Sequence, residues 1–391
     1  MTDTRKHWWT PLALTGLVAT LATTLAGCAT APMDSANLAS DSNLLSKPLV
    51  QGKEYMIMAN RPHQIHVVEM ENDTLYKSCD IPGDFGPGTL IMAPDNHTAY
   101  MLTNHYKHIY GVDLDTCELT FHAAMSQASN ERAISMMSLA LSPDGSELYS
   151  LQNPTILNRD HYRVQDTRLS VYKTADGMNA QPVRTFDAPR QVTVMATAND
   201  GSLYMAGADI YKMDVNTGKV ETAIPARNWQ RPLYAPPDVL AVWPIQSPRN
   251  DFTILYVTAK FQDETYDMNT AEWIYGYFNV DLDTGETTTT DFAEFTEIFF
   301  TGMRSPNDGN LMYGVLNNLA KYDIKEKKLL KTSALDHSYY CLAFSQDGKK
   351  IYAGGTFNDL AIFDADSLEL IGKLELPGGD TAPTTLQAFV R

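Results

Sequence analysis

One phrase recurs along this chain from Glu54 onward, and it limits the possible folds more than any other feature. An apolar strand leads into a turn rich in Pro, Asp, Asn and Gly. A second strand with an early tyrosine follows, then a third ending in Asp, a polar turn and a fourth strand. The first turn appears as Pro94-Asp95-Asn96, Pro143-Asp144-Gly145, Asn199-Asp200-Gly201, Asn307-Asp308-Gly309 and Gln346-Asp347-Gly348, with a longer form at Pro248-Arg249-Asn250. Asp-Gly between apolar runs is a strong hairpin signal, because glycine accepts the positive φ that such turns demand. The second turn opens at Asp113, Asp214, Asp281, Asp323 and Asp364. The tyrosines fall at positions 100, 149, 204, 256, 313 and 352, so the period runs from 39 to 57 residues. Four short strands per repeat of this length describe the blades of a β-propeller.

Six complete units span residues 88–125, 135–189, 192–226, 238–294, 297–336 and 338–379. Residues 54–82 supply three strands only, and the missing inner strand is available at Thr385–Val390. The expectation is an all-β, seven-bladed propeller over residues 54–391, its ring closed by the C-terminal strand joining the N-terminal blade. Closure of this kind leaves no inner sheet edge open to aggregation.

In such a ring the first-to-second and third-to-fourth strand turns share one face. The second-to-third and blade-to-blade connections share the other. The first set is short and uniform here. The second is elaborated at Asn153–Thr167, Phe261–Glu272, Met125–Ser135 and Arg227–Pro237. Long loops on a rigid scaffold carry function more often than decoration, so that face is expected to bind something.

Residues 1–27 read as a lipoprotein signal peptide: Arg5 and Lys6 precede an apolar stretch that ends in Leu25-Ala26-Gly27-Cys28. Cys28 is the expected lipidation site, and residues 28–53 a flexible tether. Ala29 after it points to the outer membrane, giving a periplasmic chain held by lipid alone. The balance of 30 Lys+Arg against 47 Asp+Glu, net −17, with no basic block, argues against a nucleic-acid partner. No later stretch has 18 uninterrupted apolar residues, so no other segment is expected to span a bilayer.

Chemical motifs are sparse. His63-x-x-His66 and His105-x-x-His108 have a suggestive spacing, but no Cys or acidic partner completes a zinc set, and no metal site is expected. The Asp-x-Asp-Thr stretches at 113 and 281 resemble the start of a calcium loop but lack its remaining ligands, so they read as turn chemistry. The chain has no Cys-x-x-Cys-His, Gly-x-Ser-x-Gly or His-Glu-x-x-His. No catalytic residue is assigned. Cys79 and Cys117 fall at the rims of adjacent blades and are candidates for a disulfide in an oxidising periplasm. Cys341, in an inner strand, reads as a buried free thiol.

Several stretches carry a resemblance to a known family. They are Tyr76-Lys-Ser-Cys79, Phe85-Gly-Pro-Gly-Thr89, Met92-Ala-Pro-Asp-Asn96, Asn104-His-Tyr106, Pro182-Val-Arg-Thr-Phe186, Asp209-Ile-Tyr-Lys-Met-Asp214 and Gly354-Gly-Thr-Phe-Asn-Asp-Leu-Ala361. With them the chain from Glu54 to Arg391 resembles the β subunit of quinohemoprotein amine dehydrogenase and, more distantly, the heavy chain of methylamine dehydrogenase. The resemblance implies a subunit without a cofactor of its own in a periplasmic heterotrimer that deaminates primary amines. Its partners would be an α subunit with two c-type haems and a small γ subunit carrying cysteine tryptophylquinone, with a small redox protein accepting the electrons. The lipidation signal departs from the soluble complex that the family implies.

On this basis Asn104, His105, Tyr106, Trp229, Tyr339, Phe357 and Asn358 are candidates to face γ and wall the substrate cavity, each lying in or beside a connection on the elaborated face. Two rival readings stay open. A lipidated propeller could act as an interaction scaffold, and a free-standing propeller lactonase or hydrolase would need a metal or an acid/base pair at the channel mouth.

Overall fold

The computed structural model describes residues 47–391 except 84, 85, 87, 241–246 and 382–384. The signal peptide, Cys28 and Phe85 lie outside the described residues. Seven antiparallel sheets follow one another around a ring. From the inner strand outward, blade 2 is Leu90–Met92, Thr98–Thr103, His108–Asp113 and Leu119–Ala124. Blade 3 is Leu139–Leu141, Glu147–Leu157, Arg168–Lys173 and Arg184–Asp187, with two further strands added to it. Blade 4 is Val194–Thr197, Leu203–Ala206, Ile210–Met213 and Val220–Ile224. Blade 5 is Asp238–Leu240, Asp251–Lys260, Glu272–Asp281 and Thr287–Glu294. Blade 6 is Phe299–Arg304, Leu311–Leu316, Asn318–Asp323 and Lys328–Ala334. Blade 7 is Tyr339–Phe344, Lys350–Gly355, Asp359–Asp364 and Leu370–Glu375.

Blade 1 is built from both ends of the described chain. Gln387–Val390 pairs with Glu54–Asn60, placing Tyr55 opposite Phe389 and Ile57 opposite Gln387. Gln64–Glu69 and Thr74–Asp80 complete it. The closing strand is also tied to blade 2: the Gln387 side-chain oxygen accepts from Met92 N at 2.6 Å, and Asn96 Nδ2 donates to Val390 O at 3.0 Å. This is the seven-bladed, terminally closed propeller expected from the repeat.

The core is not a single centre. Buried apolar residues form seven clusters, one between each pair of neighbouring blades, so every sheet is packed on both faces. That explains why the second strands read as continuous apolar runs while outer strands such as Leu370–Glu375 are largely exposed. Two of the recurrent tyrosines bridge these wedges. Tyr313 donates from its hydroxyl to Ala365 O at 2.9 Å in blade 7, and Tyr352 donates to the Asp73 carboxylate at 2.6 Å in blade 1. Tyr256 departs from this pattern and bonds Asp291 within its own blade at 2.7 Å.

Cys79, in the outer strand of blade 1, and Cys117, in the last turn of blade 2, are joined as a disulfide with Cα atoms 5.2 Å apart. Cys341 is a buried free thiol. Residues 47–53, read in the sequence as the end of the tether, lie against blades 1 and 2. Leu49 is buried and its N–H donates to Asp115 Oδ1 at 2.8 Å, while Tyr76 donates to Pro48 O at 2.7 Å.

Candidate functional site

The two faces of the ring differ in how their backbone is held. On the short-turn face one device recurs. Asp113 Oδ1 accepts from the N–H groups of Asp115 and Thr116 at 2.7 and 3.0 Å, and Asp281 Oδ1 does the same for Asp283 and Thr284 at 3.0 and 2.8 Å. The Ser142 and Ser146 hydroxyls and the Ser146 N–H hold the Asp144 carboxyl down to about 2. These are self-contained Asx turns, and the calcium-like spacing is accounted for by them.

The other face is built differently. The stretches 153–167 and 125–135, expected as loops, are partly strand. The second strand of blade 3 runs on to Leu157 and pairs there with Glu131–Ile134 on one side and Tyr162–Val164 on the other, so a three-stranded ribbon extends from the blade. The stretch 261–271 caps the long hairpin of blade 5, whose strands pair as far as Lys260 and Glu272. The connection at 227–237 is fastened to blade 5. Arg231 grips Asp291 through two nitrogens at 2.8 and 2.5 Å, and the hydroxyls of Tyr234 and Tyr256 donate to the same carboxylate. Burial pushes the Asp291 carboxyl up, and these donors outweigh it, leaving the group below its usual range.

Large apolar side chains left in solvent concentrate on this face. They include Met136, Leu157, Tyr162 and Val164 around the ribbon, Tyr266, Met268, Trp273, Phe295 and Ile298 around blade 5, and Phe357 on blade 7. Between them a cleft of about 340 Å³ is lined by Leu240, Val257, Trp273, Tyr275, Phe295 and Ile298, with Asp238 as its single carboxylate.

Six of the seven residues singled out in the sequence fall on two blades that flank blade 1. Asn104, His105 and Tyr106 form the second-to-third strand turn of blade 2, all with left-handed backbone at φ 52, 55 and 60°. His105 is exposed; the Tyr106 ring lies over Gly88, where a Cβ would come within 2.8 Å of it. Phe357, on blade 7, is 56% exposed and meets His337 edge-on with ring centroids 4.7 Å apart. Asn358 donates to Leu376 O at 2.8 Å, which ties its turn to the connection leaving the fourth strand of blade 7.

The connection before the closing strand ties the blade 7 group to blade 1: Thr381 N donates to Phe357 O at 3.2 Å and Arg61 N to Asp380 O at 3.0 Å. Tyr339 is not presented to solvent. It is 1% exposed, and its hydroxyl donates to Asp359 at 2.7 Å. Trp229 belongs to another sector and packs edge-on against Tyr256 and Phe278 at 5.2 and 5.9 Å. Aromatic rings in the connections serve here as wedges between blades as often as they face outward.

Sequence reasoning missed the charged network beneath Phe357. His337 Nε2 lies 3.0 Å from Asp359 Oδ1, and Lys373 Nζ lies 2.8 Å from Asp359 and 2.7 Å from Asp336. Burial pushes the Asp359 carboxyl up, but Lys373, Tyr339 and His337 outweigh it and hold the group below its usual range. A carboxylate already engaged by three donors is poorly placed to act as a general base. It acts as a clamp that ties the connection entering blade 7 to that blade's third and fourth strands. The only local signal was Asp336-His337 within an inter-blade connection.

The histidine spacings resolve into separate contacts. His66 is buried against the Ser78 hydroxyl at 2.7 Å, and burial pushes it down to about 4. His108 Nδ1 and His122 Nε2 meet at 2.9 Å with ring centroids 5.1 Å apart. At that separation one ring's N–H donates to the nitrogen of the other, and burial lowers both groups. Among the described residues no group of three His, Cys, Asp or Glu side chains stands together as a metal site, and no helix is long and apolar enough to cross a membrane.

No family model and no curated protein sequence matches this chain. Solved structures match it in fold. A functionally unknown protein from Desulfotomaculum acetoxidans is 11% identical, with a TM-score of 0.54 over 85% of this chain and 98% of that one. Hydrazine synthase of Kuenenia stuttgartiensis is 11% identical, with a TM-score of 0.52 over 85% of this chain and 97% of that one. A dihydro-haem d1 dehydrogenase in complex with DHE is 11% identical, with a TM-score of 0.50 over 88% of this chain and 77% of that one. At this identity the likeness establishes the propeller and nothing further.

Proposed function

We propose that this chain is the β subunit, bearing no cofactor of its own, of a periplasmic quinohemoprotein amine dehydrogenase, tethered to the outer membrane through lipidated Cys28. On this reading it seats the quinone-bearing γ subunit on its elaborated face and helps wall the cavity where primary amines are deaminated. A dihaem α subunit then passes the electrons to a small redox protein. Asn104, His105 and Phe357 are the residues of the candidate set best placed to reach a partner. Tyr339 and Asn358 act behind Phe357 as positioning residues.

The sequence resemblance supports the reading, and one observation carries it: exposed aromatic and aliphatic side chains gather on the face that the repeat leaves free to vary. Burying such side chains is favourable by about 25 cal/mol per Å² of apolar surface, and clusters of them mark sites of association. The test is purification from the native host through a tag on this chain. A haem-staining protein and a small quinone-staining protein should elute with it, and the preparation should oxidise primary amines with an artificial acceptor. Elution of this chain alone from cells that oxidise amines, or amine turnover by the chain without companions, would refute the assignment.

A further inference from the structure

The ribbon on blade 3 departs from the acidic character of the chain. Leu157 stands opposite Tyr162, Thr155 opposite Val164 and Arg132, and Ile156 opposite Arg163 and Glu131. Opposed residues share a face of a sheet. Arg132, Thr155, Leu157, Tyr162 and Val164 therefore stand on one side of the ribbon. The other side is turned inward at Ala133 and Pro154, which are buried, and at Glu131, which pairs with Arg168 at 2.7 Å, while Arg163 at its outer edge stays exposed. The first side is left to solvent, with Tyr162 72% and Val164 66% exposed.

The outer edge of the ribbon is also open. Asn158 N donates to His161 O and Gln165 N to Pro154 O, each at 3.0 Å. Positions 161, 163 and 165 thus turn their backbone groups toward the long strand, and antiparallel alternation points those of Tyr162 and Val164 outward. Such an edge is a template for another strand.

Charge says what kind of strand. Arg132, Arg159 and Arg163 are exposed and form no ion pair among the described residues. Among the neighbouring carboxylates Glu131 is engaged with Arg168 and Asp166 with Arg190 at 3.1 Å, which leaves Asp160, 2.8 Å from His161, to offset the three arginines.

We infer that this ribbon docks an acidic polypeptide segment, which adds as a strand along Tyr162–Val164 and seats apolar side chains against Tyr162, Val164 and Leu157. Tyrosine and arginine together are the side chains that most often anchor interfaces. A second copy of this chain is a poor occupant, because pairing two such edges would bring Arg159 and Arg163 against their own like charges. The inference rests on the ribbon alone and is independent of the amine dehydrogenase reading.

Fluorescence anisotropy on the mature chain at low salt tests it with three labelled peptides: a short strand-former alternating valine and threonine with glutamate, its arginine counterpart, and the acidic peptide broken by prolines. The acidic peptide should bind in the micromolar range, and the other two about tenfold more weakly or worse. Arg159→Glu with Arg163→Glu should weaken the acidic peptide about tenfold. Val164→Pro, which removes an outward N–H and the exposed valine side chain but no bond to the long strand, should abolish binding with thermal unfolding unchanged. Failure of the acidic peptide to bind, equal affinity for the acidic and basic peptides, or indifference to both variants would overturn the inference. So would a monomer–dimer equilibrium that Val164→Pro removes, which would assign the edge to a second copy.

Discussion

The short-turn face and the elaborated face are made by the same seven sheets, yet they are held in different ways. Most short turns are stabilised from within, by an aspartate that caps the next N–H groups and, in several, a glycine such as Gly145, Gly201 or Gly285 at φ 72, 84 and 75°. The residues are local, so the solution repeats. On the elaborated face local Asx turns recur at Asp263 and Asp267, but partners far away in sequence also hold the backbone. Arg231 and Asp291 lie 60 positions apart, and the ribbon strands are joined to one another only through blade 3. Those connections are released from the repeat and each has diverged. Surface that varies on a fixed frame is where recognition is built.

The comparison can be broken most severely at the frame itself. Removing residues 385–391 strips the inner strand from blade 1, along with its ties to Met92, Asn96 and Asp115. Loss of cooperative thermal unfolding is expected, with aggregation through the bared edge. Replacing the exposed ribbon turn Arg159-Asp160 by Asn-Gly should leave the unfolding temperature nearly unchanged. Next in size is the bridge between blades 1 and 2. Cys79→Ser with Cys117→Ser opens a link across 38 residues and should cost about 2–4 kcal/mol by chemical denaturation.

Tyr352→Phe comes third. It removes a buried donor from Asp73 across the blade 7 to blade 1 junction and should cost about 1–3 kcal/mol. Phe357→Ser, on the elaborated face, should lie within about 0.5 kcal/mol of the parent, as exposed sites usually do.

Acid sharpens the same contrast by smaller steps. Burial lowers His66, His108 and His122, so an unfolded chain takes up protons at these sites first as pH falls. Their contribution is complete above the ordinary 6.5 and is lost as pH drops through the folded values, about 4 for His66. The Asx turns respond later. Asp144 keeps its contribution above the ordinary 3.8 and loses it as pH falls toward about 2. Urea midpoints measured against pH should therefore show two separate declines, and His122→Gln should flatten only the first.

Much of the frame was legible because its causes are local. Asp-Gly turns, early tyrosines and apolar second strands each declare themselves within a few residues, and the leftover strand at 385–390 completed the ring. The ribbon was not legible as strand. Pro154 interrupts its central run, Tyr162–Val164 is only three residues long, and its pairing with Glu131–Ile134 crosses an intervening inner strand. Tyr339 and Trp229 were misleading for a related reason. A ring in a connection can fill the wedge between blades or face solvent, and only the packing decides which. The clamp of His337 and Asp359 is assembled from positions 22 apart, with no motif to announce it.

The account stands on the claim that the elaborated face is covered by partner proteins in the working assembly. Hydroxyl-radical footprinting of the complex purified from its host, against this chain alone, measures that directly. Phe357, Trp273, Ile298 and Tyr162 should be protected in the complex, while Met178 and Leu370, exposed at third-to-fourth strand turns of the opposite face, stay equally reactive in both. Equal labelling of Phe357 and Trp273 in the two samples, or protection confined to the short-turn face, would contradict it.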